Sequence, residues 1–199
     1  MIASLTRRLA LAAFAAVLAL PAAGHADPWK DALVQRAVAY LDGLVAVKGK
    51  FQQTDQKGVT VTGDFYLARP GRARFEYDPP SGLLITSDGT TVVMSDSRLK
   101  TLQHFALNST PLGVFLADHI RLDKGAKVDR VDEDATGFSI TARDNHGLAQ
   151  GQITLYFSDS PLRLTGWALV DGQGRTTRVA LGPLSPLRDP DPDLFNQSQ

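Results

Sequence analysis

The sequence predicts a mainly β protein built on a single curved antiparallel sheet or barrel. Three observations carry that expectation. First, Gly63 to Thr90 is a run of alternating segments cut by Pro70-Gly71, by Pro79-Pro80-Ser81-Gly82 and by Asp88-Gly89. Asp-Gly between alternating runs favours a two-residue hairpin loop, because Gly takes positive φ at no steric cost. Second, the alternation separates two chemistries. Val59, Val61, Gly63, Phe65 and Leu67 share one face with Ala73, Phe75 and Tyr77 of the next segment. Thr60, Thr62, Asp64 and Tyr66, then Arg72, Arg74 and Glu76, share the other. One apolar and one wet face is the mark of an antiparallel sheet packed on one side. Third, segments of this kind recur as far as Leu181, about eleven in all.

Taken in order, residues 1–26 read as a removable signal peptide. Arg7-Arg8 precede an apolar run, Leu9 to Leu20, that is too short to span a bilayer. Gly24-His25-Ala26 supplies small residues before the expected mature start at Asp27. The alternative is an uncleaved amphipathic anchor. No Cys follows the run, so the chain cannot itself be a diacylated lipoprotein, and nothing later is long and apolar enough to cross a membrane as a helix. Residues 27–199 read as a single domain.

That domain has no cysteine, so its stability rests on a core and thiolate zinc sites are excluded. Without Arg7 and Arg8 its charge is slightly negative, which argues against a nucleic-acid partner. Asp27-Pro28 is an N-cap followed by Pro at the first helical position. Leu33, Ala37, Tyr40, Leu41 and Leu44 then recur at helical spacing, predicting an amphipathic helix from Pro28 to about Leu44. Its apolar stripe needs a partner, and the sheet's apolar face is the obvious one.

Strands are expected over 47–56, 59–69, 71–78, 82–86, 90–95 and 98–104. A second helical stretch follows, with Thr110 as N-cap, Pro111 first inside, and Leu112, Phe115, Leu116 and His119 on one face. Strands resume over 127–132, 136–143, 150–157, 162–170 and 175–181. The tail, rich in proline from Pro183 to Pro192, is expected to be irregular, with Leu194-Phe195 as a last apolar contact.

Catalytic patterns are missing. His104, His119 and His146 fall in different elements without metal-ligand spacing, and Ser87 lacks a nucleophile elbow. Asp189, Asp191 and Asp193 alternate with prolines but lack the glycine and closing Glu of a calcium loop. No glycine-rich phosphate loop occurs. These absences favour a binding protein over an enzyme, with no cofactor and no metal.

Six motifs stand together: Phe51-Gln52-Gln53 with the Gly58 turn, Gly63-Asp64-Phe65, the R-P-G-R-A-R-F-E-Y run from Arg69 to Tyr77, Ser87-Asp88-Gly89, Thr110-Pro111-Leu112 and Asp171-Gly172-Gln173-Gly174. In this combination they resemble the LolA family, the periplasmic outer-membrane lipoprotein carriers. The resemblance covers essentially the whole mature chain. It implies an unclosed antiparallel β-barrel with a helical lid over an apolar concave groove. It further implies a monomeric carrier in the periplasm that shields lipoprotein acyl chains, receives them from an inner-membrane ABC transporter and hands them to an outer-membrane acceptor or the outer membrane itself.

Within that resemblance Arg69 matches the family's lid-locking arginine, and Leu112, Phe115 and Leu116 are lid candidates. Phe51, Phe65, Phe75, Tyr77, Leu84, Phe138, Ile140, Ile153, Leu155 and Phe157 are candidates to line the acyl groove, their facing subject to any β-bulge. Arg72 and Arg74 are expected to be solvated outer-face charges. Ala73 departs from the family pattern, which commonly has a bulky residue there. Two alternatives share the same groove: a lipid-sensing regulator, and a carrier of another amphiphile such as a glycolipid. A lipid esterase is a more distant one.

Overall fold

The computed structural model describes residues 28–110, 113, 116, 126–144 and 151–196. The expected signal peptide, the Asp27 cap, Leu112 and Phe115 lie outside the described residues.

Helix α1 spans Pro28–Asp42 and buries Leu33, Ala37 and Leu41, one residue per turn along a single stripe. Six strands follow: β1 (Ala46–Thr54), β2 (Thr60–Ala68), β3 (Arg72–Tyr77), β4 (Leu83–Asp88), β5 (Thr91–Asp96) and β6 (Thr101–Ala106). A 3-10 turn at Leu107–Ser109 leads into the segment carrying Gly113 and Leu116, both helical. The second run is β7 (Ala126–Glu133), β8 (Gly137–Asp144), β9 (Gly151–Asp159), β10 (Leu162–Asp171), β11 (Thr176–Leu181) and the two-residue β12 (Ser185–Pro186). A 3-10 turn at Pro192–Phe195 ends the described chain but for Asn196.

All pairings are antiparallel, in the order β6-β5-β4-β3-β2-β1-β11-β10-β9-β8-β7, with β12 added beside β1. The two meanders therefore join where β11 returns to β1, and β6 and β7 are left as edges. The sheet is strongly rolled. Phe75 of β3 and Trp167 of β10 are separated by three strands in the sheet order, yet their ring centroids lie 6.0 Å apart.

Two boundaries differ instructively from the sequence pattern. The stretch 98–100, expected to open a strand, is turn. The Asp96 carboxylate accepts from the backbone N–H groups of Arg98 and Leu99, so these groups are spent locally and pairing starts at Thr101. The tail, expected to be irregular, contributes β12 and a buried Phe195.

Candidate functional site

The register decides which residues face the concave side. Phe51 pairs with Gly63, Gly63 with Tyr77, and Phe65 with Phe75, so these rings share one face. Phe138 pairs with Phe157, Ile140 with Leu155, and Ala142 with Ile153, which extends the same face across the second meander. All nine of these groove candidates are buried. The aromatic rings touch one another. Phe51 meets Phe75 and Tyr77 edge-on at 5.5 and 5.0 Å, and Phe138 stacks on Phe157 at 5.0 Å. Gly63 is what admits the Phe51 ring, since a Cβ there would lie 2.8 Å from it and closer still to the Glu76 carbonyl.

Leu84 is a correction. It pairs with Glu76 on the convex face, whereas Ile85 pairs with Phe75 on the concave one. Leu83-Leu84-Ile85 is an unbroken apolar run without alternation, so its facing is set only by its neighbour strand. Sequence reasoning also missed Trp167, which is 2% exposed and contacts both Phe65 and Phe75. It shares its face with Leu164 three residues earlier because the pairing of β10 with β9 slips between Leu164 and Gly166. The alternation of Trp167 with Leu169 was the available signal.

The concave face is covered by the chain itself. Leu33, Ala37 and Leu41 of α1 join the core, as does Leu116 at 1% exposure. Tyr40 lies edge-on to Phe157 at 6.2 Å, and Arg36 ties α1 to the end of β9 through Asp159 at 2.6 Å. Leu116 is fastened at the β2–β3 turn, where the Gly71 N–H donates to its carbonyl at 2.8 Å.

That turn gathers motif residues that are far apart in sequence. Gly71 has φ +70° and packs so close to Gly89 that a Cβ would fall 2.5 Å from its Cα. Its carbonyl accepts from Ser87 Oγ at 2.6 Å. The Asp88 carboxylate accepts from Thr90 and Thr91 N–H groups, and these bonds hold it below the usual carboxylate range. R-P-G and S-D-G are therefore two halves of one rigid corner. Arg69, beside it, is buried at 8% exposure, and its backbone N–H donates to the Val45 carbonyl at 2.8 Å.

The convex face holds a second correction. Arg74, expected to be solvated, is 7% exposed. The C-terminal turn lies over it, and its guanidinium donates to the Leu194 carbonyl at 3.2 Å and to Glu76 at 3.1 Å. Phe195 is 1% exposed, and the Arg72 guanidinium stands 5.4 Å from its ring centroid.

Tyr77 supplies a polar group on the concave face. Its hydroxyl donates to Gln53 Oε1 at 2.7 Å, and burial pushes its pKa up to about 12. A cavity of about 550 Å³ remains open at the end of the concave face where α1 enters β1, between Tyr40, Leu44, Val47, Leu164 and Leu184. Among the described residues no helix is long and apolar enough to cross a membrane.

Residues 42–198 match the family described as outer membrane lipoprotein carrier protein LolA. The chain belongs to the LolA family. An outer-membrane lipoprotein carrier protein of Chromobacterium violaceum is 32% identical over 115 residues, covering 54% of this chain. The match spans 55% of that relative's length. Another, of Chromohalobacter salexigens, is 25% identical over 193 residues, covering 92% of this chain and 89% of its own. Two solved structures share the fold at a TM-score of 0.51. One is an uncharacterized conserved protein of Thermus thermophilus, 10% identical, covering 83% of this chain and 94% of its own. The other is a DUF1329 family protein of Desulfovibrio piger, 8% identical, covering 85% and 96%.

Proposed function

We propose that this LolA-family chain is a periplasmic carrier that shields the acyl chains of lipoproteins, not an enzyme. On this reading residues 1–26 direct export. Cargo arrives from an inner-membrane lipoprotein-releasing ABC transporter and leaves to an outer-membrane acceptor or the membrane itself. The observation that carries the reading is the aromatic concave face, covered by α1 and by Leu116. Each exposed methylene costs about 0.8 kcal/mol, so three acyl chains cost on the order of tens of kcal/mol to hydrate. An apolar face relieves that cost. A cover that occupies the same face competes with the cargo and keeps net affinity low enough for release.

Arg69 is the residue we assign to holding the cover. It is buried beside the corner where Gly71 binds the Leu116 carbonyl. Arg69→Leu should leave a folded protein that delivers cargo poorly; delivery at the wild-type rate would remove Arg69 from the mechanism. The carrier reading itself is tested by release. Purified mature protein is incubated with spheroplasts making acylated lipoproteins, and the supernatant is examined for a soluble one-to-one complex. A complex seen only in the presence of the protein supports the carrier. Free lipid or glycolipid in its place transfers the assignment to another amphiphile.

A further inference from the structure

The two edges of the sheet are built differently. β7 carries Lys127, Asp129, Arg130, Asp132 and Glu133, and its pairing with β8 slips between Val128 and Arg130. Charge and a bulge are what keep an edge strand from pairing with another chain. β6 has neither. It holds no Lys, Arg, Asp or Glu, pairs with β5 without a break and is exposed along its whole length, Leu102 at 58% and Phe105 at 41%. The Leu107 N–H donates to the Thr90 carbonyl, and bonded residues alternate along an antiparallel pair. Thr101, Gln103 and Phe105 are therefore bonded to β5, while Leu102, His104 and Ala106 turn their N–H groups outward. No strand among the described residues pairs with that side. Phe105 lies opposite Val92, Val92 opposite Ser87 and Ser87 opposite Ala73, so the concave face runs out to this edge.

We propose that the β6 edge docks the polypeptide of an acylated cargo, the stretch after the acylated residue adding to Leu102, His104 and Ala106 as a further strand. The identity of the occupant rests on the carrier reading. Acyl chains held on the concave face leave their polypeptide at its rim, and β6 is the rim built to accept a strand. Main-chain bonds read no side chain, so one edge serves cargoes of unlike sequence. A second copy of this chain fits less well, since six residues a side fall short of the about 20–30 of a stable interface.

The test uses a palmitoylated octapeptide of alternating serine and threonine with a C-terminal fluorophore, two versions of it N-methylated at the odd or at the even residues, and palmitate alone. An added strand turns every second N–H toward β6. One N-methylated form should therefore bind about tenfold more weakly than the parent, and the other should match it. His104→Pro deletes one outward N–H and leaves the β5 pairing whole, as an edge strand permits. It should weaken the parent lipopeptide several-fold more than His104→Ala does, with palmitate binding unmoved. Equal binding of the odd and even forms, or equal effects of the proline and alanine changes in folded proteins, would overturn the proposal. The N-methylated pair needs no altered protein, so it decides the matter if the proline variant does not fold. Sedimentation of the free protein as a dimer that His104→Pro dissolves would assign the edge to a second copy instead. The spheroplast release experiment separates this proposal from the carrier reading. An odd–even difference without lipoprotein release keeps the edge as a peptide site and removes the carrier; release with equal odd and even binding does the reverse.

Discussion

Strand β3 buries residues on both faces, Phe75 and Tyr77 on one and Arg74 on the other, and the two burials are chemically opposite. Its concave side presents Ala73, Phe75 and Tyr77 to a core of rings and aliphatic chains. Its convex side presents Arg72 and Arg74 to the C-terminal turn, one guanidinium beside the Phe195 ring and the other bonded to the Leu194 carbonyl and to the exposed Glu76. Hydrophobic burial is non-directional and scales with area, so one apolar partner can replace another at little cost. Charged hydrogen bonds are directional, and an abandoned buried partner is expensive. The concave side is thus suited to exchanging its own cover for a guest. The convex side is suited to staying shut.

The largest effect should come from putting convex-type chemistry on the concave side. Phe65→Asp buries an unpaired carboxylate among rings and should cost more than about 4 kcal/mol, read as loss of the cooperative urea transition at neutral pH. Phe195→Ala, on the other side, should cost about 3 kcal/mol by cavity formation, yet leave binding of an apolar fluorescent probe to the folded protein unchanged. Loss of both stability and probe binding would show that the two faces are not independent.

Tyr77→Phe sharpens the contrast within the concave side. Burial favours the neutral phenol and raises its pKa from the usual 10.0 to about 12. The associated stability is complete below the unfolded-state value and is lost as pH rises from about 10 toward 12. The variant should lose about 1 kcal/mol at neutral pH with the Gln53 hydrogen bond, and unfold less steeply in alkali, by urea midpoints at several pH values. The smallest effect belongs to Asp88→Asn at the corner. Because the carboxyl is held low, its contribution is present above the ordinary carboxylate pKa and lost as pH falls through the folded value. The variant should be less stable than wild type by under about 1 kcal/mol at neutral pH and indistinguishable from it in acid.

Much of this architecture was legible in the sequence because alternation and turn residues are local signals. Val61, Gly63, Phe65 and Leu67 declare their face by period alone, and Asp88-Gly89 declares a hairpin by the backbone it demands. Leu84 was misplaced because three consecutive apolar residues carry no parity, and only pairing with β3 supplies one. The grouping of Trp167 with Leu164 was hidden by a bulge, which shifts parity without any marker in composition. Arg74 was misjudged for a different reason. Alternation reports which face a residue takes, but not whether a distant segment later covers that face; the cover here arrives from Leu194, 120 positions away.

The edges left by β6 and β7 give the molecule a freedom that a sealed cylinder lacks. In a closed barrel, strand number and stagger set the circumference, so widening the bore means breaking ladder hydrogen bonds. Here the hoop is cut. The sheet can change its radius through small adjustments of twist shared among all its strands, with every pairing intact. Interior volume becomes an adjustable quantity set by whatever occupies it, and a guest of one size or another meets an elastic wall.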